Sequence, residues 1–309
     1  MSDGDSRERA VRDRDAADPA TEAFVAHRNL LFTVAYEMLG SAADAEDVLQ
    51  ETWLRWVDVD LDQVRDRRAY LVRITTRQSL NRLRSLSRRK ESYVGQWLPE
   101  PLLTTPDVAL DVELAESLSM ALMLVLETLS PTERAVFVLR EVFDVGYDEI
   151  AAAVDKNPAT VRQIAHRARK HVDARRPREA VSPDATRAAL DSFQRAATTG
   201  DIQGLLDVLA PDVVLMADGG GFKQAALRPV MGADKVARFL LGGKAKLDAT
   251  LTIEPTVVNG NPGLLFRLDD ELDGVMGISF EGDRITGLYY VRNPEKLTRI
   301  EEETPLTAR

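Results

Sequence analysis

The chain of 309 residues contains no cysteine, only three histidines and no long apolar run. Without cysteine, disulfides, thiol catalysis and cysteine-based zinc sites are excluded. A membrane-spanning helix needs roughly 18 consecutive apolar residues, and no segment approaches that length. The first 20 residues lack the apolar segment of a signal peptide and have almost no large apolar side chains. We therefore expect a cytoplasmic protein without membrane contact, in which residues 1–20 are disordered.

Charge is distributed unevenly along the chain. The net charge is −10, yet residues 65–90 contain ten Lys and Arg against one Asp. A basic block between acidic flanks indicates a local contact with nucleic-acid phosphates. Polar residues near Gln78 and Asn81 indicate a break between two helices, where side chains could reach bases. The expected DNA contacts in this block are Arg73, Arg77, Gln78, Asn81, Arg84 and Arg88.

The stretch GYDEIAAAVDKNPATVRQIAHRARKHV, residues 146–172, has the pattern of a helix-turn-helix. Asn157 is a good N-cap, and Pro158 fits the first helical position because its missing N–H would have no partner there. Apolar residues recur on one face of each helix, which leaves a basic face outside. The alternative is an ordinary helical hairpin with a solvated face. The outward residues that we expect to enter a major groove are Thr160, Arg162, Gln163, His166, Arg167 and Lys170.

A helix predicted over SAADAEDVLQETWLRWV, residues 41–57, has one apolar face and one acidic face. Asp44, Asp47 and Glu51 lie on the acidic face at spacings of three and four residues. The face is either solvated or a docking surface. Paired carboxylates for acid–base catalysis are disfavoured, because the neighbouring apolar stripe offers no cleft.

Three blocks in order resemble an RNA polymerase sigma factor of the extracytoplasmic-function type. They are DAEDVLQETWLRW (44–56), RAYLVRITTRQSLNRLR (68–84) and LSPTERAVFVLREVFDVGYDEIAAAVDKNPATVRQIAHRARK (129–170). The resemblance implies a polymerase-binding helix carrying Asp44, Asp47 and Glu51, a minus-ten-reading segment and a minus-thirty-five-reading domain. Asp155 departs from the turn glycine of many relatives. Core RNA polymerase and promoter DNA are the implied partners, with no enzymatic activity, cofactor or metal.

The resemblance places sigma domain 2 at 21–92, a linker at 93–111 and sigma domain 4 at 112–175. After a second linker, 176–183, the pattern changes to two helices followed by five strand-like runs, at 212–217, 249–258, 263–268, 274–280 and 284–291. This α+β region, 184–309, resembles the SnoaL-like, ketosteroid-isomerase-like cone. The fold class expected is therefore multidomain: two all-α domains, the second a helix-turn-helix, then an α+β cone.

Three short motifs are similar to those of the sigma subgroup with such a fused domain: WLPEP (97–101), DGGGF (218–222) and NPEKL (293–297). Phe222 stands where the subgroup usually has lysine, with Lys223 one place later, and Glu295 replaces an aspartate conservatively. We expect the second and third motifs to meet the first and regulate the factor in cis, so that no separate anti-sigma protein is required. The expected contacts are Trp97, Leu98, Pro99, Glu100, Pro101, Asp218, Gly219, Gly220, Gly221, Asn293, Pro294, Glu295, Lys296 and Leu297.

Three other functions compete with this interpretation. The cone could be an enzyme that uses Asp218 or Glu254 as a base, or a sensor that binds an unknown small ligand in its pocket. All three histidines lie outside the cone, and an aspartate before three glycines is more often a turn former than a base. A stand-alone repressor would explain the helix-turn-helix, but it would not explain the basic block.

Overall fold

The computed structural model describes residues 18–105, 108, 112–175, 183–300 and 302–308. Most of the predicted disordered segment, 1–20, lies outside these residues. Its last two residues, Pro19 and Ala20, belong to the first helix, and Ala20 is buried. Within the described residues, no helix combines the length and apolarity needed to cross a membrane.

The N-terminal helical domain consists of three main helices, α1 (Pro19–Leu39), α2 (Ala42–Trp56) and α3 (Arg67–Glu91). Gly40 ends α1 in the left-handed conformation, and the Ser41 hydroxyl caps α2 by accepting from the main-chain N–H of Asp44. The indole N–H of Trp56 donates to the main-chain oxygen of Ala20 at 2.7 Å, which ties α2 to the start of α1.

The prediction of a helix break near Gln78 and Asn81 is wrong, because α3 is continuous. Polar residues in its middle are buried against the neighbouring helices instead of ending the helix. Thr75, for example, is fully buried and its hydroxyl lies 3.4 Å from that of Thr52 on α2. A polar cluster therefore marks a buried contact here.

The second helical unit is the helix-turn-helix domain. Its first two helices are separated at Ser119, whose hydroxyl accepts from the main-chain N–H of Leu122 and starts a new helix. Ser130 and Glu133 form a capping box. Its elements are α4 (Val112–Leu118), α5 (Met120–Leu126), α6 (Pro131–Phe137), a π-helical turn (Val138–Val142), α7 (Tyr147–Val154) and α8 (Pro158–Asp173).

The helix-turn-helix predicted from the caps is present. Asp155 takes the left-handed conformation at φ 55° between α7 and α8, so aspartate fills the position where many relatives have glycine. Asn157 caps α8, since its side-chain oxygen accepts from the main-chain N–H of Thr160 at 2.8 Å, and Pro158 occupies the first turn.

The C-terminal domain has helices on one face of a six-stranded sheet in the order β2-β1-β6-β5-β4-β3. β1 and β6 pair in parallel and the other neighbours pair antiparallel. The elements are α9 (Pro183–Thr199), α10 (Ile202–Val208), β1 (Leu209–Asp218), β2 (Val230–Met231), α11 (Ala233–Lys244), β3 (Leu251–Val258), β4 (Asn261–Leu268), β5 (Glu271–Glu281) and β6 (Arg284–Val291).

The sheet buries both of its faces. On one face α9, α10 and α11 enclose a core that includes Phe193, Leu215 and Leu288. The opposite face forms a second apolar layer, in which Val275 and Val291 pack with Leu98 of the linker and Met120 of α5. The predicted fold class, two helical domains followed by an α+β cone, is confirmed, and the cone is joined to the helical part by a continuous apolar contact.

Candidate functional site

The exposed side of α3 carries four of the predicted DNA contacts in one stripe. Arg73, Arg77, Asn81 and Arg84 are spaced by four, four and three residues, so they follow one side of the helix. Arg77, Asn81 and Arg84 are exposed, and the Arg73 guanidinium lies 4.5 Å from the ring centroid of Tyr70. The side chain of Arg88 lies outside the described residues.

The structure does not place Gln78 with this stripe. Gln78 is 9% exposed and lies on the side of α3 that faces α2. With its amide oriented to satisfy its neighbours, it donates to Glu51 Oε2 at 3.0 Å and accepts from Arg55 Nε at 3.1 Å. The residue was expected to reach bases because a helix break was expected; in a continuous helix its position turns it inward.

The acidic face of α2 is partly neutralised by the same basic helix. Arg82 donates to Asp44 Oδ1 and to Asp47 Oδ2, each at 2.6 Å. Burial lowers the pKa of Arg82, but the hydrogen bond to Asp44 and the charges of Asp44, Asp47 and Glu51 together raise it above its ordinary value. Asp44 is buried, whereas Asp47 and Glu51 keep about half of their side-chain surface exposed, 53% and 47%. The outward part of this face is therefore Asp47 and Glu51.

The outer face of α8 is open. The predicted groove-reading residues on it are exposed apart from Thr160, which is partly covered at the cap: Arg162, Gln163, His166, Arg167 and Lys170. The Tyr147 ring lies between two cations, 5.1 Å from the Arg140 guanidinium and 5.5 Å from that of Arg162. Arg162 therefore rests on the start of α7.

The two helical domains contact each other along what we call the seam, where α1 and α3 meet α4, α6 and α7. Arg77 of the α3 stripe donates from Nη2 to the main-chain oxygen of Ala152 on α7 at 2.8 Å. One predicted DNA contact is thus engaged by the helix-turn-helix domain, while the outer face of α8 stays free. We call this packing the closed arrangement.

The three short motifs meet at Asp218, a fully buried residue at the end of β1. Its Oδ1 accepts from the Tyr93 hydroxyl at 2.7 Å and from the main-chain N–H of Gly220 at 3.0 Å. Its Oδ2 accepts from the main-chain N–H of Leu98 at 3.0 Å and from Lys296 Nζ at 2.7 Å. Four donors from the linker, the glycine loop and the C-terminal segment thus converge on one carboxylate.

Lys296 links the last motif to the first. Its ammonium group donates to the main-chain oxygen of Leu98 at 2.6 Å and lies 4.4 Å from the Trp97 ring centroid. Burial lowers the pKa of Lys296, and the Asp218 charge opposes that shift. Lys90 of α3 lies 3.3 Å from the same ring and is paired with Glu127. Trp97 therefore sits among cations from the N-terminal and C-terminal domains.

Two glycines permit the close approach of these segments. Gly220 has φ +60°, and a Cβ there would overlap the side-chain amide of Asn293. Asn293 in turn donates from Nδ2 to the Tyr93 hydroxyl at 2.7 Å. At Gly40, φ is +69° and a Cβ would lie 2.8 Å from a ring carbon of Trp97.

The remaining motif residues differ in their environment. Glu100 is buried and its carboxylate accepts from the main-chain N–H groups of Ala42 and Ala43, at 2.8 and 3.4 Å, where α2 begins. Burial raises the pKa of Glu100 despite these bonds. Leu98, Pro99, Pro101 and Leu297 are buried, Gly219 is buried and Gly221 is exposed, and Pro294 and Glu295 are exposed.

Asn259, at the turn between β3 and β4, is a contact that sequence reasoning missed. It is fully buried at the seam: Oδ1 accepts from the main-chain N–H of Leu102, and Nδ2 donates to the Tyr36 hydroxyl at 2.8 Å and to the main-chain oxygen of Leu118 at 3.0 Å. The pair Asn259 and Gly260 is typical of a hairpin turn, and its φ angles of 53° and 72° fit one. The turn pattern does not indicate that Asn259 also contacts the helical domains.

The C-terminal segment crosses to the N-terminal domain after the last motif. Thr304 donates its main-chain N–H to the oxygen of Leu103 at 2.7 Å, and Thr307 donates to the Thr33 hydroxyl at 3.1 Å. Leu306 is 4% exposed and belongs to the core cluster shared by the two helical domains. Residues 302–308 thus complete the seam.

The two carboxylates considered as catalytic bases are otherwise engaged. Both oxygens of Asp218 accept two hydrogen bonds each, and Glu254 is half-exposed and 3.6 Å from Arg267. An apolar cavity of about 40 Å³ lies in the cone among Phe193, Leu241 and Phe266. Pockets for small ligands usually measure about 300–1,000 Å³.

The chain is similar to proteins of one known family. The family model described as "Sigma-70 region 2" matches residues 23–89, and "Sigma-70, region 4" matches residues 119–172. The ECF RNA polymerase sigma factor SigJ of Mycobacterium tuberculosis is 36% identical over 288 residues, 89% of this chain and 92% of that protein. The probable ECF sigma factor SigI of the same species is 32% identical over 289 residues, 93% and 97% of the two chains. The crystal structure of SigJ superposes with a TM-score of 0.74 at 34% identity, covering 91% of this chain and 99% of that chain.

Proposed function

The chain belongs to the extracytoplasmic-function RNA polymerase sigma factors, and from that premise we propose that its fused SnoaL-like domain controls it in cis by holding the closed arrangement. As a sigma factor it directs core RNA polymerase to promoters and initiates transcription. Its own C-terminal domain then takes the place of a separate anti-sigma protein, and the protein works beside polymerase in the cytoplasm without an enzymatic step in the cone.

The contact between Arg77 and Ala152 carries this proposal. A stripe of α3 that is suited to phosphates has one of its cations engaged by the helix-turn-helix domain at 2.8 Å. DNA on this stripe would have to displace that domain, because the two surfaces meet directly. The closed arrangement is therefore a resting state, and promoter binding requires the seam to open.

The cone has the contacts needed to hold that state. Its glycine loop and C-terminal segment bind the linker through Asp218 and Lys296, and its β3–β4 turn reaches the seam through Asn259. The linker in turn is fastened to the N-terminal domain through Glu100. A shift of the cone would therefore change the spacing of the two DNA-reading domains.

The proposal assigns different roles to different parts of the cone. The sheet positions the two sigma domains through the apolar layer, and its loss should weaken the factor as a whole. The segment from Asn293 onward secures the resting state, and its loss should relieve restraint. Cuts at two places should thus act in opposite directions.

Transcription by core polymerase from a cognate promoter tests this. A chain that stops before Asn293 should give more transcript than the full chain, and one that stops before Pro183 should give less. Trp97→Ala should alter the difference between the full chain and each truncation. Asp283→Asn, an exposed change in the turn between β5 and β6, is the control. Equal transcription by the full chain and both truncations, all soluble and folded, would remove the proposal.

A further inference from the structure

Glu37 is a fully buried carboxyl group in the seam, in the last turn of α1. Ser117 of α4 lies beside it, with the hydroxyl oxygen 2.7 Å from Glu37 Oε1. Its other oxygen, Oε2, is buried and has no hydrogen-bond partner among the described residues. A carboxylate with an unpaired oxygen in a buried contact is costly, because burial penalises the charged form.

Hydrogen-bond accounting at Ser117 favours the neutral acid. The Ser117 hydroxyl is 2.7 Å from Glu37 Oε1 and 2.8 Å from the main-chain oxygen of Leu114, yet it has one proton to donate. If Glu37 is protonated, its acid O–H donates to Ser117 Oγ and the Ser117 hydroxyl donates to Leu114. Both contacts are then hydrogen bonds. If Glu37 is ionised, only one of them can be.

The nearest cation is committed elsewhere. Arg134 of α6 donates from Nε and Nη2 to the main-chain oxygen of Glu37, at 3.1 and 2.8 Å, and from Nη1 to the Glu127 carboxylate. Among the described residues no ion pair joins a cation to the Glu37 carboxyl. Tyr36, the residue before Glu37, donates its hydroxyl to the main-chain oxygen of Glu100.

From this geometry we infer that Glu37 is a proton-binding site of the closed arrangement, and that separation of the two helical domains releases its proton. The site lies in the contact itself, since Glu37 comes from the N-terminal domain while Ser117 and Arg134 come from the helix-turn-helix domain. Parting the domains exposes the carboxyl to water and restores its ordinary acidity. The inference rests on the proposed function only for the statement that opening matters to transcription.

The direction of the pH dependence follows from linkage. Burial raises the pKa of Glu37 from 4.5 to about 8, against the opposing effects of the Ser117 hydrogen bond and the Arg134 charge. The closed arrangement therefore gains its full stabilisation from this proton below pH 4.5. It loses that stabilisation as pH rises, so the opening constant increases about tenfold per pH unit until about pH 8 and then levels off.

Other groups at the domain contacts also titrate, so a difference between variants isolates Glu37. Burial raises the pKa of Glu100, which acts in the same direction. Burial lowers the pKa of Lys90 to about 8 and lowers that of Lys296, and these groups act in the opposite direction at more alkaline pH. A window of roughly pH 5.5–7.5 therefore precedes the lysine contributions.

Because the natural chain has no cysteine, two can be introduced for dyes on the full-length protein. Asp58→Cys and Asp173→Cys label exposed positions on the two helical domains. Energy transfer is measured across the pH window. Relative to the parent, Glu37→Gln should flatten the slope of the logarithm of the opening constant by up to one unit per pH unit. Glu37→Leu should flatten it too, whereas Glu22→Gln, an exposed change on the same helix, should leave it unchanged.

If the two helical domains separate too rarely for energy transfer to detect, a second measurement is needed. Global unfolding also exposes Glu37, so the pH dependence of the unfolding midpoint must differ between the parent and Glu37→Gln in the same direction. Identical pH slopes for parent and Glu37 variants in both experiments would overturn the inference. A changed slope together with transcription that is indifferent to truncation would retain the proton site and remove the regulatory proposal.

Discussion

Lys296 and Asp218 form an ion pair of 2.7 Å in which the carboxylate has no exposed surface. Asp218 ends β1 and Lys296 follows β6, so most strands of the sheet lie between them in the sequence. Both residues also bind the linker at Leu98: Lys296 donates to its main-chain oxygen, and Asp218 accepts from its main-chain N–H. This pair therefore gathers three segments from different parts of the chain. Its strength determines how firmly the linker is held to the cone.

Breaking this pair from one side should loosen the restraint. Lys296→Met leaves Asp218 buried without its cation, a change that typically costs about 3–5 kcal/mol. Transcription should rise, and the linker should become more accessible to protease. The double variant Lys296→Met with Asp218→Asn removes the stranded charge and should regain part of the protease resistance. A single variant as resistant and as restrained as the parent would contradict this role.

Asn259 should support the same arrangement from the other side of the cone. Asn259→Ala removes the donor to Tyr36 and Leu118 and the acceptor for Leu102. Each buried group left unpaired costs about 1–3 kcal/mol, so the seam should open more readily. Hydrogen exchange at residues 114–118 and 36–39 would report this. Asp270→Ala, in the next hairpin turn but on an exposed site, should leave exchange there unchanged.

The α3 stripe should contribute to the salt dependence of promoter binding. Arg84→Ala removes an exposed cation and should reduce the slope of log K against log salt by about one unit. Arg77→Ala should do the same, but it also removes the bond to Ala152 and should favour opening. Arg238→Ala in the cone is the matched control. The stripe is not a phosphate contact if Arg84→Ala and the control give the same slope.

The outer face of α8 should distinguish promoter sequences. Arg162→Ala should cost about 1–3 kcal/mol on the cognate upstream element and less on scrambled DNA. Tyr147→Leu removes the ring beside Arg162 and should give a smaller loss of the same kind. Both can be measured by titrating the two DNAs at one salt concentration. An equal loss on both DNAs would reduce Arg162 to a phosphate contact.

The exposed part of the acidic face should be needed for polymerase binding. Asp47→Lys with Glu51→Lys reverses charge at two half-exposed positions and should abolish co-purification with core enzyme. Asp47 also pairs with Arg82, so circular dichroism is needed to show that α2 remains folded. Asp191→Lys on the cone is the control. Retained binding by the double variant would return this face to a solvated surface.

Much of the architecture was predictable because local chemistry and tertiary structure agree. The Ser130–Glu133 capping box and the Asn157 cap mark helix starts that tertiary packing keeps. The alternating strands of the cone were equally clear. Where they disagree, the prediction is wrong: Gln78 lies in a polar stretch that α2 buries, and β1 begins at Leu209, although the first strand is predicted over 212–217. The strand β2 and helix α11 were missed altogether.

The candidate site was likewise predictable only in part. The motif residues could be named from sequence, and several of them converge on Asp218. The partners from outside the motifs could not, because a residue such as Tyr93, Lys90 or Asn259 has its role only after distant segments are brought together. The spacing of residues along the sequence does not predict a contact between Tyr36 and Asn259.

Leu306 occupies the core between the two helical domains, so the closed arrangement is complete only after the end of the chain has been synthesised. The ribosome finishes α8 at Asp173 well before it reaches residue 306, and at roughly 5–20 residues per second the interval is about 7–27 s. During it, both sigma domains have been synthesised while the residue that fills their junction has not. If the closed arrangement restrains the factor as proposed, each newly made molecule is unrestrained during this interval.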